Sequence, residues 1–125
     1  MLNYLFCLDQ NYNKQLLTTL NSLNVNSTSN FNIYIIHNDP ESLYSDIEEN
    51  NIKFNKINKF QVFKYTSNDF AFPNLENNHI SEATYYRFFI EDYINEDVDY
   101  LVYLDCDILC LNNPSDVLAE IITKL

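Results

Sequence analysis

Apolar runs and helical patterns alternate along this chain in one fixed order, and that order restricts the fold more than any other feature. Residues 2–8 form an apolar run that reads as a buried strand. Asp9, Gln10 and Asn11 break it, and a helix follows over residues 12–25, with Leu16, Leu17, Leu20 and Leu23 at helical spacing. Residues 24–30 are a polar turn, and residues 31–36 a second strand. Asp39 is then an N-cap with Pro40 at the first helical position, and Glu41, Glu48 and Glu49 carry that helix to about Asn50. Residues 60–65 read as a third strand, and residues 68–78, with Pro73 and several Asn, as irregular. Ser81 caps a helix that carries Tyr85, Tyr86, Arg87, Phe88 and Phe89 and ends near Tyr93. Residues 98–104 form a fourth strand, residues 108–111 a short further one, and Pro114 opens a last helix. Such an order predicts an α/β fold: a mostly parallel sheet flanked by helices, with right-handed crossovers.

The 125 residues read as one domain, 1–125, and a hydrophobic fraction of 46% suffices for a core. A net charge of −11 argues against a nucleic-acid surface and against adsorption to an anionic membrane. Cys7, Cys106 and Cys110 lie in or beside apolar runs and read as small core residues of a reduced, cytoplasmic protein. The amino-terminal apolar run is too short to span a membrane and lacks the basic stretch of a signal peptide. Glycine is absent altogether, so neither a P-loop nor a dinucleotide-type glycine turn exists here. Any phosphate must be held by side chains, a metal or an ordinary helix N-terminus.

That shifts attention to Asp105-Cys106-Asp107, set between two apolar runs. An unpaired buried carboxylate costs several kcal/mol, on the order given by transfer data, so two of them there imply a partner. In an extended chain residues i and i+2 project to the same side, with Cys106 turned away. Two convergent carboxylates offer oxygen ligands to Mg²⁺ or Mn²⁺, which could grip a diphosphate. The alternative is a pair of solvated turn residues. Ligands of open α/β sheets bind beyond the carboxyl ends of the strands. Asp9-Gln10-Asn11 and Asp105-Cys106-Asp107 both fall at such ends. Asp9 suits either a cap or an acceptor for the N–H of a pyrimidine base. Asn11 and Tyr12 suit capping and packing, or contact with a ribose and a base. Arg87 suits an ion pair with Glu91, or a phosphate. His79 suits a surface or capping role.

Four blocks give the chain a resemblance to the N-terminal half of family 8 glycosyltransferases, the retaining galactosyl- and glucosyltransferase group of bacterial lipopolysaccharide synthesis and glycogenin. They are Leu8-Asp9-Gln10-Asn11-Tyr12, Leu20-Asn21-Ser22-Leu23, the run from His79 to Phe88, and the run from Val102 to Leu109. The resemblance implies a GT-A (Rossmann-like) fold, truncated after the D-x-D motif. It implies transfer of a hexose from a UDP-sugar to a saccharide or glycolipid acceptor, with retention of configuration. Asp9 would bind the uracil, Asn11 the ribose, and Tyr12 would stack near the base. Arg87 would contact the donor's phosphate or sugar, and His79 would lie toward the acceptor. Asp105 and Asp107 would hold Mn²⁺ (or Mg²⁺) against the diphosphate. A third metal ligand, a histidine, and most of the acceptor pocket would come from a C-terminal half beyond Leu125, as would any peripheral membrane association. Without that half the chain would be a nucleotide-sugar-binding or interaction module lacking turnover, with an exposed apolar face that favours self-association.

Overall fold

The computed structural model describes residues 1–66, 82–95 and 97–125. Strand β1 (Leu2–Leu8) leads through a 3₁₀ turn (Gln10–Tyr12) into helix α1 (Asn13–Asn26). Strand β2 (Phe31–His37), helix α2 (Pro40–Glu49) and strand β3 (Ile57–Lys64) follow. A 3₁₀ helix (Glu82–Phe89) runs into the short helix α3 (Ile90–Tyr93), then strand β4 (Val102–Tyr103) and helix α4 (Ser115–Thr123). The sheet has the order β3-β2-β1-β4, and every pairing is parallel. β1 and β2 are central, which is why their sequences are apolar on both faces.

Alternation along these two strands divides the core. Tyr4, Phe6 and Leu8 join Phe31, Ile33 and Ile35 on one face, under Leu16, Leu20 and Leu23 of α1. Leu5, Tyr34 and Ile36 face the other way, against Tyr65, Ala83, Tyr86 and Ile94. Tyr65 and Tyr86 stack there with centroids 4.0 Å apart.

With no glycine available, α2 ends on asparagine. Asn51 takes the left-handed conformation at φ 51°. The Asn51 N–H bonds the Glu48 carbonyl, and the Ile52 N–H reaches back to Ile47. This is the Schellman pattern, in which asparagine is the usual substitute for glycine.

Several expectations change. Asp39 precedes α2, but its side chain makes no cap bond. Its backbone N–H is instead held by His37 Nδ1 at 2.8 Å. β3 begins at Ile57, three residues earlier than expected. The helix expected through Arg87 is 3₁₀ up to Phe89. Three residues per turn put Ala83, Tyr86 and Phe89 in one row, and all three pack in the second cluster. The fourth strand shortens to Val102–Tyr103. Contact with β1 continues on either side through the Asn3 side chain to the Tyr100 carbonyl and the Leu104 N–H to the Leu5 carbonyl. Residues 108–111 form no strand. Side chains of α1 take up their backbone groups: Asn26 Nδ2 donates to the Cys110 carbonyl, and the Cys110 N–H donates to Ser22 Oγ. The irregular stretch 68–78 and the Ser81 cap lie outside the described residues.

Candidate functional site

The carboxyl ends of β1, β2 and β4 are adjacent, and each carries polar residues. At β1, Asp9 adopts an extended backbone and its Oδ1 accepts the Asn11 N–H at 2.9 Å. Asp9 is therefore a buried cap of the 3₁₀ turn, 9% exposed. Asn11 is exposed at the turn's apex, while Tyr12 is half-buried against the larger core cluster.

At β2 lies a network that the sequence reading did not anticipate. His37 is fully buried. Its Nε2 is 2.7 Å from Asn13 Oδ1, and Asn13 Nδ2 donates to Ser42 Oγ and Asp46 Oδ2. Burial lowers the His37 pKa below its usual range, against opposing pulls from Asp39 and Asp9. The available signal was positional: His37-Asn38-Asp39 is a third polar cluster at a strand end, like Asp9-Gln10-Asn11.

At β4, Asp105 and Asp107 are both exposed, with Cys106 half-buried and packed against the core. The expectation of carboxylates set in an apolar interior is corrected, because the flanking Leu109 and Leu111 are themselves exposed. Residues 106 and 107 form a turn and not an extended strand, so the i, i+2 projection expected for Asp105 and Asp107 does not apply, although Cys106 remains the least exposed of the three. The turn is pinned from below by Thr19, whose Oγ1 lies 2.9 Å from the Cys106 carbonyl and 2.6 Å from that of Ile108. Thr19 is nearly fully buried, so this hydroxyl is fixed by the helix that carries it.

Arg87 is exposed and makes no ion pair with Glu91, since Lys124–Glu120 is the one salt bridge among the described residues. Its guanidinium lies over the rings of Phe88, at 5.6 Å, and Tyr103, at 5.8 Å. Tyr103 reports how the groups converge. Burial raises its hydroxyl pKa, Cys7 and Asp105 add to the rise, and Arg87 opposes it. Cys106 is pushed up to about 11, first by burial, then by Asp107, with smaller contributions from Asp105 and Asp9. Arg87 and Asp105 thus both act on Tyr103, and Asp9, Asp105 and Asp107 on Cys106. Cys7 is pushed up to about 12 by burial, against the pull of Arg87, so neither of these two thiols is a thiolate nucleophile at neutral pH. His79 lies outside the described residues.

Two exposed aspartates are hard oxygen donors suited to Mg²⁺ or Mn²⁺. Among the described residues no third His, Cys, Asp or Glu joins them to complete a metal-holding group. An open cavity of about 530 Å³ lies elsewhere, at the amino end of β1, lined by Met1, Asn3, Asp97, Asp99, Asp116 and Thr123 among others. It belongs to the opposite edge of the sheet. No helix of the described residues is long and apolar enough to cross a membrane.

The fold has solved counterparts. The galactosyltransferase LgtC, solved with donor and acceptor sugar analogs, aligns over 93% of this chain at 22% identity and a TM-score of 0.68. The bifunctional glycosyltransferase WbbM aligns over 94% at 16% identity and a TM-score of 0.63. The chain spans 41% of the LgtC chain and 20% of the WbbM chain. No curated protein matches it in sequence. The architecture is thus the α/β GT-A fold. The model of the family described as glycosyl transferase family 8 matches residues 3–124, and on that match over nearly its whole length the chain belongs to glycosyltransferase family 8.

Proposed function

We propose that this chain carries the donor-binding part of a metal-dependent glycosyltransferase that moves a hexose from a UDP-sugar to a saccharide or glycolipid acceptor. What supports the reading is that Asp9 and the Asp105–Asp107 segment follow the paired strands β1 and β4, with Arg87 over the Tyr103 ring of β4, in a family 8 chain. On this reading the protein works in the cytoplasm, in synthesis of a bacterial lipopolysaccharide or surface glycan.

The roles are those that the family resemblance implies and the chemistry of each side chain allows. Asp105 and Asp107 hold the divalent cation, Mn²⁺ or Mg²⁺. A cation bound there supplies Lewis-acid stabilisation of the charge on the departing UDP. Arg87 offers a planar cationic fork to a phosphate or sugar oxygen. Among the described residues it pairs with no carboxylate, and it lies over the Tyr103 ring. Asp9 accepts a hydrogen bond from uracil, Asn11 meets the ribose from its exposed apex, and Tyr12 flanks the base. The family resemblance would give His79 a role toward the acceptor. The carboxylates also explain why a cation is needed: a chain of net charge −11 otherwise repels a diphosphate.

The test is thermal unfolding of the 125-residue chain with UDP, with Mn²⁺, and with both, beside the Asp105→Ala/Asp107→Ala double variant. A ligand that binds only the native state raises the midpoint. The expected result is a rise that needs UDP and Mn²⁺ together and vanishes in the double variant. A rise with UDP alone, undiminished in the variant, would remove the metal from the reading, and no rise at all would remove the donor site.

A further inference from the structure

The turn after β1 is assigned here to the nucleoside, yet the groups that hold it in place belong mostly to the end of β2. His37 Nδ1 accepts the Asp39 N–H, so the imidazole proton sits on Nε2 and is donated to Asn13 Oδ1. That fixes the Asn13 amide with its Nδ2 toward Ser42 Oγ and Asp46 Oδ2. Ser42 Oγ in turn donates to the Asp39 carbonyl at 2.7 Å. Asn13 directly follows the 3₁₀ turn. At the turn's other end, the Gln10 N–H donates to Asn38 Oδ1 at 3.0 Å. Both ends of the turn are therefore clamped by consecutive residues, His37 at the end of β2 and Asn38 just after it, and Asp9 Oδ1 holds the Asn11 N–H between them.

Packing alone does not account for this. An apolar residue fills the volume of a buried imidazole without requiring partners, whereas a fully satisfied polar network specifies one geometry. Asn13 is 3% exposed and His37 0%, so a broken bond here is not replaced by water. We infer that His37 is a positioning residue: through Asn13, and with Asn38, it holds the Asp9–Asn11 turn in the geometry that receives the nucleoside of a nucleoside-diphosphate donor. The ligand half of this inference rests on the function proposed above, whereas the clamp on the turn does not.

The experiment measures two quantities on the wild type, His37→Ala, His37→Gln and Asn38→Ala. One is residue-resolved amide exchange without ligand, and the other is the Kd for UDP in the presence of Mn²⁺. Glutamine keeps a donor near the Nε2 position and so retains the link to Asn13. The Gln10 and Asn11 amides are expected to exchange about tenfold faster in His37→Ala and Asn38→Ala, while Leu5 and Ile35 stay as protected as in the wild type. UDP binding is expected to weaken about tenfold in the same two variants and to recover largely in His37→Gln. Unchanged exchange at Gln10 and Asn11, or a uniform rise at all amides, overturns the positioning role. So does wild-type affinity for UDP in variants whose turn has loosened. If the turn loosens as expected but the wild type itself does not bind UDP with Mn²⁺, the clamp stands and the donor reading fails. Asn38 is exposed, so its variant carries the test even if His37→Ala does not fold.

Discussion

The turn after β1 and the segment after β4 are neighbours at the same edge of the sheet, yet they are built by opposite means. β1 shares seven register pairs with β2, and its turn is capped by the buried Asp9 and tied to the next loop. β4 shares only two register pairs with β1, and the segment beyond it leaves Asp105, Asp107, Leu109 and Leu111 exposed. What holds that segment is a row of α1 side chains, Thr19, Ser22 and Asn26, bonding to its backbone. Buried polar groups must find protein partners, so the first turn is set before any ligand arrives. Exposed carboxylates keep their water, so the second region needs only its backbone fixed. Polar groups are locked by protein bonds in one region and left open to water in the other.

Substitutions in the two strands test that contrast most strongly. Ile35→Ala, in the fully buried centre of β2, is expected to cost about 2–5 kcal/mol in denaturant unfolding. Val102→Ala, on half-buried β4, is expected to cost about 1 kcal/mol, and equal costs would break the comparison. Next in size is Thr19→Val, which keeps the shape but leaves two carbonyls without their hydroxyl. A loss of about 1–3 kcal/mol is expected, together with weaker Mn²⁺-dependent UDP binding, because the turn bearing Asp107 loosens.

A smaller effect concerns His37. Its folded pKa lies below the unfolded value, so both states are neutral above about pH 6.5 and its contribution is complete there. As pH falls below that value the unfolded chain binds the proton first, and stability is lost. The wild type should therefore lose stability relative to His37→Gln between about pH 7 and pH 5, and parallel pH profiles would contradict a buried neutral imidazole. Least of all, Lys124→Ala removes an exposed i,i+4 pair on α4 and should change stability by less than about 0.5 kcal/mol. A larger loss would mean that α4 is more tightly held than its exposed Val117 and Ile121 indicate.

Much of the framework was legible from residue order. β1, α1, β2 and α2 fall within a residue or so of the runs that their apolar spacing marks, because central strands and the helices that cover them carry strong periodic signals. The edge was harder. Residues 108–111 have a strand's composition, but β4 is only two residues long, and side chains of α1 met their backbone groups instead. Arg87 sits on a helix turn whose 3₁₀ form follows from stacking three residues against a distant cluster, which local propensity does not report.

The same division holds for the candidate site. Asp9, Asp105 and Asp107 stand out in sequence because polar residues interrupt apolar runs at strand ends, and that is a local property. Which of them are buried is not local. Asp9 is enclosed at the end of central β1, whereas Asp105 and Asp107, beyond the short β4, face water. His37, Asn13 and Thr19 looked unremarkable one by one, and only the packing of β2 and α1 gave them partners 24 to 89 residues away. The sequence by itself determined the parallel α/β frame and the carboxylates at its rim, since apolar periodicity and its interruptions are written residue by residue. The tertiary structure alone decided which polar groups lock together and which stay open, since burial depends on neighbours that the chain supplies from elsewhere.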